Sequence, residues 1–205
     1  MKASKSAARP TQQVVRWIRK SPQYRFALDY GCRELRYARE LAQKCSRLTL
    51  VDSIEHLDRP QMIDGRKTTL REYASVQWRH ARVLSIEEFE MDKRRYDFAL
   101  CANVLSEIPE AATRDKVVRR ITQSLSADGR ALFVTHLDSR VLKPRRSGVA
   151  LRHLDGWIIQ TSKGVYYIGL LPLEKLRAII TENGGRILEA WSEGDAAFVL
   201  ASREP

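Results

Sequence analysis

The sequence is poor in the residues that form disulfide frameworks and metal sites. It contains three cysteines and four histidines, and Cys32, Cys45 and Cys101 form no Cys-x-x-Cys pair and are accompanied by no cluster of histidines. An odd number of widely spaced cysteines argues against both a disulfide framework and a zinc site. We therefore expect reduced thiols and no metal centre.

Long apolar runs are also absent. No run approaches the ~18 residues that are needed to cross a bilayer, and the N-terminal segment MKASKSAARPTQQ is basic without the apolar stretch of a secretory signal. A length of 205 residues with 43% hydrophobic residues suits one domain with a full core. We expect a soluble, cytoplasmic protein.

Acidic residues are outnumbered. Lys and Arg total 36 against 25 Asp and Glu, which gives a formal net charge of +11. A charge of this size attracts polyanions such as nucleic acid or acidic membranes, but basic side chains also keep a surface soluble, so both explanations stay open. The basic residues gather at Arg16, Arg19 and Lys20, at Lys93, Arg94 and Arg95, at Arg119 and Arg120, and at Lys143, Arg145 and Arg146.

The most informative segment runs from Phe26 to Ser53. Its apolar run Phe26 to Asp29 is followed by Gly31, by apolar residues at helical spacing from Leu35 to Ala42, and by a second apolar run that ends at Asp52. In doubly wound sheets a carboxylate about 20 residues after the Gly-rich turn accepts ribose hydroxyls, while the turn lets a ligand approach N–H groups at a helix N-terminus. This pattern predicts a nucleoside-containing ligand.

The rest of the chain alternates helices and strands, which is typical of a doubly wound α/β sheet. We predict a loop over Glu55 to Lys67 and a turn at Asp128-Gly129. Predicted helices are Gln12 to Lys20, Thr69 to Trp78, Thr113 to Leu125 and Pro172 to Ile180, and predicted strands are Arg82 to Ser85, Tyr96 to Ala102 and Ala131 to Thr135.

The C-terminal part departs from this alternation. Two β-prone runs flank Ser162-Lys163-Gly164 and predict an inserted hairpin over 156–169, and Arg186 to Trp191 with Ala196 to Ala201 predict a final antiparallel pair. We predict a basic N-terminal tail and helix over 1–25 and a single domain over 26–205.

The local motifs resemble those of class I S-adenosylmethionine-dependent methyltransferases, from about Phe26 to Ser202. The run Asp29 to Arg36, DYGCRELR, aligns without a gap with the first motif of that family, an acidic residue followed by x-Gly-x-Gly-x-Gly. Leu48 to Asp52 resembles the second motif, Tyr96 to Asn103 the fourth, and Leu125 to Val134 the later turn and strand of the family. The resemblance implies a Rossmann-like, doubly wound, mostly parallel seven-stranded sheet with a C-terminal antiparallel strand pair.

The resemblance also implies S-adenosylmethionine as cofactor and a set of residues that bind it. Asp29 would order the turn and approach the methionine amino group, Gly31 would allow close backbone approach, and Asp52 would hold the ribose. Glu87 and Asn103 could equally be an exposed acid at a helix start and a turn residue. Asp52 could also cap a loop, but its position in the motif favours binding. The implied cofactor-binding residues are Asp29, Tyr30, Gly31, Cys32, Arg33, Asp52, Ser53, Ile86, Glu87, Ala102 and Asn103.

Two positions depart from the first motif, because Arg33 and Leu35 stand where the family has its second and third glycines. The Arg33 guanidinium could pair with the methionine carboxylate, or it could fill the pocket. The second case predicts a catalytically inactive methyltransferase-fold binding or assembly subunit with a basic surface.

The segment at the end of the fourth motif constrains the methyl acceptor. The run ANVLSEIP lacks the Pro-Pro-aromatic signature of enzymes that methylate amines of flipped bases, and it resembles small-molecule methyltransferases. His136 is a weak candidate for a general base. Trp157, Tyr166 and Tyr167 with nearby arginines either stack on bases or pack the hairpin. We expect methyl transfer to a small molecule or an accessible nucleic-acid group.

Overall fold

The computed structural model describes residues 11–137, 149–161 and 164–204. The chain divides into two compact units, Lys2–Leu100 and Cys101–Pro205, which we call the N-terminal and C-terminal units. The basic tail lies outside the described residues, and the single-domain organisation over 26–205 stays a prediction.

The N-terminal unit is built on parallel strands. Its strands are β1 (Tyr24–Tyr30), β2 (Cys45–Asp52), β3 (Gln61–Ile63), β4 (Arg66–Thr68), β5 (Ala81–Ser85) and β6 (Tyr96–Ala102), and the last two residues of β6 belong to the C-terminal unit. Strand β1 pairs in parallel with β2 and with β6, and β2 pairs in parallel with β5. These central strands are largely apolar because neighbouring elements cover both of their faces.

Two helices of this unit begin at capping boxes. Thr69 and Glu72 form a capping box before one helix, and Ser85 and Glu88 form another, so side-chain and backbone groups satisfy each other at each helix start. The helices are α1 (Gln12–Lys20), α2 (Ala38–Ala42), α3 (Ile54–Asp58), α4 (Leu70–Gln77) and α5 (Ile86–Met91). The predictions for α1 and α4 are confirmed.

The predicted loop from Glu55 to Lys67 is wrong. It contains most of α3 and the antiparallel hairpin β3–β4. Asp64 and Gly65 both have positive φ, 47° and 78°, as a two-residue hairpin turn requires. The strands escape sequence reasoning because three-residue strands with polar side chains show no alternation.

The C-terminal unit carries longer elements. A 3-10 turn (Leu105–Glu107) precedes α6 (Ala111–Ser124), β7 (Leu125–His136), β8 (Val149–His153), β9 (Gly156–Thr161), β10 (Gly164–Gly169), α7 (Leu173–Glu182), β11 (Gly185–Glu193) and β12 (Ala196–Arg203). The predicted turn at Asp128-Gly129 is wrong, because β7 continues through it. The predicted hairpin over 156–169 is confirmed, and β8 extends it to a three-stranded antiparallel sheet of order β10-β9-β8.

The larger sheet has seven strands in the order β11-β12-β7-β6-β1-β2-β5. Strand β12 runs antiparallel to both of its neighbours, β7 and β11. The α/β fold class and the C-terminal antiparallel pair are therefore confirmed. Among the described residues, no helix is both long enough and apolar enough to cross a membrane.

Candidate functional site

The turn after β1 keeps a glycine-type backbone with only one glycine. Gly31, Arg33 and Leu35 have φ values of 75°, 43° and 59°, a region that residues with a Cβ atom rarely adopt. These are the three positions where the first motif has its glycines. The backbone of the motif is thus retained although two of its glycines are not.

The end of β2 holds this turn in place. Gly31 and Cys32 donate their backbone N–H groups to the carbonyl oxygen of Val51, at 2.8 and 3.0 Å. Arg33 donates its backbone N–H to Oδ2 of Asp52 at 2.7 Å. Three N–H groups that a ligand was expected to meet are therefore used within the protein.

The helix after the turn is shorter than predicted. The apolar spacing from Leu35 predicts a helix there, but α2 begins only at Ala38, because left-handed residues at positions 33 and 35 cannot belong to a right-handed helix. A five-residue helix has a small dipole. The helix N-terminus therefore begins three residues later than the apolar spacing predicts.

Asp52 lies at the carboxyl end of β2, where the motif predicts it. Besides the Arg33 N–H, it accepts the N–H of Ser53 on Oδ1 at 2.8 Å. Each carboxylate oxygen can accept a second hydrogen bond, so the residue can hold the turn and still bind a hydroxyl. Ser53 caps α3 by accepting the N–H of His56 at 3.3 Å.

Asp29 is a buried acid with an unused acceptor. It is 1% exposed, pairs in register with Leu50 of β2 and Leu100 of β6, and its Oδ2 atom is buried without a hydrogen-bond partner. Burial, followed by the charge of Asp52, raises the pKa of Asp29 to about 7, while Arg36 lowers it. An unsatisfied buried carboxylate is costly to folding, and a perturbed acid at a strand end is a candidate for ligand binding.

The other cofactor-binding candidates of the N-terminal unit differ in their burial. The Tyr30 ring is buried and meets the Phe89 ring edge-on at 5.6 Å. Burial, followed by the charge of Asp29, raises the pKa of the Cys32 thiol well above its usual value, so this thiol is no nucleophile at neutral pH. Ile86 is half-buried and Glu87 is exposed, and both lie in the first turn of α5.

In the C-terminal unit, Asn103 directly follows the half-buried Ala102, the last residue of β6. Asn103 is 7% exposed and has a φ of 62°, and its N–H donates to the carbonyl oxygen of Val134 at 2.8 Å. Its Oδ1 atom is buried without a partner. His136 is the half-buried last residue of β7, and its role as a base stays a prediction.

Sequence reasoning missed a polar cluster that surrounds Asp155. The buried Arg114 side chain, 1% exposed, donates to Asp155 through two guanidinium nitrogens, one of them at 2.7 Å. Tyr167 and Lys175 also donate to Asp155. Hydrogen bonds from Arg114 hold the pKa of Asp155 well below its usual value, and burial, followed by Asp155, raises the pKa of Tyr167 to about 12.

This cluster bears on the aromatic residues of the inserted hairpin. The Tyr167 hydroxyl donates a hydrogen bond to Asp155. The guanidinium carbon of Arg152 lies 4.4 Å from the centroid of the Trp157 ring. Tyr166 is 42% exposed. The packing explanation therefore holds for Tyr167. Arg145 and Arg146 lie outside the described residues.

Thiols and metal-binding side chains offer no further site in the described part of the chain. All three cysteines are buried, and none of them forms a disulfide bond. No group of three His, Cys, Asp or Glu side chains lies close enough to hold a metal ion among these residues.

Comparison with known proteins identifies the family. The family model described as Nodulation protein S (NodS) matches residues 2–143. The chain belongs to the NodS family. YmfD, an uncharacterised protein of Escherichia coli K12, is 35% identical over 197 residues, which cover 96% of this chain and 88% of that protein.

Two solved structures show how the NodS-family chain relates to known folds. The N-methyltransferase NodS of Bradyrhizobium japonicum, in complex with S-adenosylhomocysteine, is 16% identical with a TM-score of 0.60 and 95% and 85% coverage of the two chains. The CcbJ methyltransferase of Streptomyces caelestis is 14% identical with a TM-score of 0.67 and 96% and 91% coverage. The fold is thus that of class I S-adenosylmethionine-dependent methyltransferases, as the motif resemblance predicts.

The NodS match does not extend over the whole chain. It covers the turn at Gly31, Asp52 and the segment that ends at Asn103, and it stops at residue 143. The sheet formed by β8, β9 and β10 lies beyond it.

Proposed function

We propose that this NodS-family protein transfers the methyl group of S-adenosylmethionine to a nitrogen atom of a small molecule. The observation that carries the proposal is the unsatisfied Oδ2 atom of the buried Asp29. The ammonium group of the methionine moiety can donate a charged hydrogen bond to this oxygen. The cofactor would then turn a destabilising group into a satisfied one.

Residues around Asp52 fit the rest of such a cofactor. The second lone pairs of the Asp52 carboxylate suit the two ribose hydroxyls. Ile54, two residues further, is 50% exposed and offers an apolar surface to the adenine ring. These features support S-adenosylmethionine rather than a ligand without a nucleoside.

Arg33 fits the site through its backbone. Its φ of 43° keeps the chain path of a glycine, so the arginine has not displaced the turn toward the ligand. From this position the planar guanidinium of Arg33 can donate two hydrogen bonds to one carboxylate. We propose that Arg33 pairs with the methionine carboxylate.

The reaction depends on alignment of the two substrates more than on covalent catalysis by the protein. S-adenosylmethionine supplies a methyl group on a sulfonium, and the protein aligns the acceptor nitrogen with it. A nitrogen acceptor is proposed because NodS of Bradyrhizobium japonicum is an N-methyltransferase. In the C-terminal unit, Asn103 stays a proposed cofactor-binding residue and His136 the proposed base.

Binding and turnover test the proposal separately. Calorimetry with S-adenosylhomocysteine should show binding to the wild-type protein, and Asp29→Asn should weaken it by about 10- to 100-fold, as loss of a charged hydrogen bond does. Asp128→Asn, which changes an exposed acid, is the matched control and should bind as wild type.

Turnover is read as S-adenosylhomocysteine released from S-adenosylmethionine in the presence of a panel of primary amines. Release that depends on one class of amine supports the proposal. No heat of binding at millimolar ligand would overturn it and favour an inactive binding or assembly subunit. Binding without any turnover over a broad panel would refute the nitrogen acceptor.

A further inference from the structure

The amino ends of the central strands lie side by side in the N-terminal unit. Strands β6, β1 and β2 are adjacent and parallel, so the residues that enter them meet at one edge of the sheet. Asp97, near the start of β6, accepts the N–H groups of Arg25 and Phe26 on one oxygen at 3.0 and 2.9 Å. We call this region the amino edge.

Two arginines stack on the Phe26 ring at this edge, and a third lies beside Phe26 on the neighbouring strand. The guanidinium carbons of Arg25 and Arg94 lie 5.1 and 5.0 Å from the ring centroid, and Arg47 is the register partner of Phe26 on β2. A guanidinium stacked on a ring uses its face, while its N–H donors point outward in its plane. The ring therefore holds the arginines in place and leaves their donors available at the surface.

Further cations surround this cluster. Lys20 ends α1, and Lys93 and Arg95 precede β6; all three are exposed, as are Arg25 and Arg47, while Arg94 is half-buried. The amino-edge patch consists of Lys20, Arg25, Arg47, Lys93, Arg94 and Arg95.

The two carboxylates that flank the basic run Lys93 to Arg95 are already engaged. Asp97 accepts the two N–H groups near the start of β1, and Asp92 accepts the Tyr96 hydroxyl at 2.7 Å and lies 3.5 Å from Arg82. Closely spaced like charges are only weakly screened, because the Debye length is about 8 Å at physiological salt. A surface built only for solubility would mix both signs.

The opposite ends of the same strands have a different character. Acidic side chains lie at or just after the carboxyl ends of β1, β2 and β5, namely Asp29, Asp52 and Glu87. Acidic residues therefore accompany the basic residues at this edge. Strand β1 separates the two edges by about 20 Å, given the rise per residue of an extended chain. The amino-edge patch is therefore not part of the proposed methyl-transfer site.

We infer that the amino-edge patch docks the sugar-phosphate backbone of nucleic acid, independently of base sequence. A row of phosphates offers acceptors that match several arginine forks at once. A membrane surface fits less well, because α1 buries its apolar residues Val14, Val15 and Ile18 and thus presents no apolar side for insertion.

The test uses the full chain and two labelled probes of about 20 nucleotides, a single-stranded RNA and a DNA duplex, in fluorescence anisotropy between about 50 and 200 mM salt. Arg47→Glu with Lys93→Glu removes two exposed cations of the patch. Arg59→Glu with Lys67→Glu changes net charge equally in the segment that follows the opposite end of β2 and is the matched control. S-adenosylhomocysteine binding, measured alongside, should be the same in all proteins and reports that they are folded.

We expect the patch variant to bind at least tenfold more weakly than the control and its log–log salt slope to fall by about 2, one for each lost phosphate contact. Arg25→Gln with Arg94→Gln should weaken binding in the same direction. Preference for RNA or for the duplex identifies the source of the phosphates. Equal loss in patch and control variants, no binding at the lowest salt, or binding only to phosphatidylserine vesicles would each overturn the inference.

Discussion

Asp29 and Asp155 are two carboxylates that the chain treats in opposite ways. Asp29, at the end of β1, is 1% exposed and has a buried oxygen without a partner. Asp155, between β8 and β9, is 24% exposed in its side chain and receives hydrogen bonds from Arg114, Tyr167 and Lys175. The pKa of Asp29 is raised to about 7 by burial, and the pKa of Asp155 is lowered by its donors.

The contrast separates a structural acid from an acid that we propose binds the ligand. Asp155 is satisfied by the protein and joins α6, the hairpin and α7, so it contributes to stability. Asp29 is left unsatisfied and costs stability, and such a cost persists in a protein where a ligand relieves it. The pH dependence of the two is also opposite in sign, which makes the contrast measurable.

The largest expected effect is that of Asp155→Asn. The substitution leaves the Arg114 charge buried without its counter-ion, which should lower the free energy of unfolding by about 3 kcal/mol near neutral pH. Urea unfolding measures this, with Asp128→Asn as the exposed control. Because the folded pKa of Asp155 is depressed, its contribution is present above about pH 4 and is lost as the pH falls below that value, so the two proteins should converge in acid. A change smaller than ~0.5 kcal/mol would show that Asp155 contributes no more to stability than an exposed ion pair does.

Asp29→Asn should act in the opposite direction. The raised pKa means that the wild-type protein loses stability as the pH rises from about 4 to about 7, because the unfolded chain releases a proton that the folded chain retains. We expect the variant to be about 2 kcal/mol more stable at about pH 8 and equal to wild type near pH 4. Urea unfolding at both pH values measures the difference. A variant that is less stable at pH 8 would show that the carboxylate is satisfied after all.

The affinity for S-adenosylhomocysteine should track the charge of Asp29. Below about pH 7 the carboxyl takes up a proton and loses its attraction for the ligand ammonium, so the dissociation constant should rise by up to tenfold for each pH unit, about 1.4 kcal/mol. Calorimetry from pH 8 to pH 5.5 measures the profile, with Asp29→Asn as the reference that should stay flat. Parallel profiles in the two proteins would assign the titration to another group.

The smallest expected effect concerns the backbone beside Asp29. Arg33→Gly should raise the free energy of unfolding by about 1 kcal/mol, because glycine adopts a φ of 43° without strain. Arg39→Gly, in the right-handed helix α2, should lower it by about 1 kcal/mol. The same Arg33 variant decides the role of its side chain: weaker S-adenosylhomocysteine binding indicates pairing with the ligand, and tighter binding indicates that Arg33 fills the pocket.

Local signals explain why much of the fold could be predicted. The capping box of Thr69 and Glu72 and the apolar run from Tyr96 to Ala102 act over a few residues, so the neighbouring sequence is enough to predict their helix and strand. The short α2 could not be predicted, because its start depends on positive φ values at Arg33 and Leu35, which no property of those side chains favours. The hairpin β3–β4 does carry a signal, the pair Asp64-Gly65, which suits a two-residue turn, but its three-residue strands are too short to show alternation.

The candidate site divides in the same way. The motif at Asp29, Gly31 and Asp52 could be recognised, and its residues do meet at the ends of β1 and β2. Asp52 accepts the N–H of Arg33 because β1 and β2 pair in parallel, although their paired residues are about 20 positions apart in the sequence. The Asp155 cluster was missed because its partner Arg114 is 41 residues away, and neither residue belongs to a motif.

The sequence by itself determined the alternation of strands and helices and the position of acids at strand ends, because these depend on apolar periodicity and short-range capping. Its motifs carried the resemblance to class I methyltransferases. Only the tertiary structure decided what each acid does. The energy of a carboxylate depends on burial and on the donors within a few ångströms, and those are brought together by chain segments that are distant in sequence. Asp29 and Asp155 have the same side chain, and packing alone leaves an oxygen of one without a donor and surrounds the other with three donor side chains.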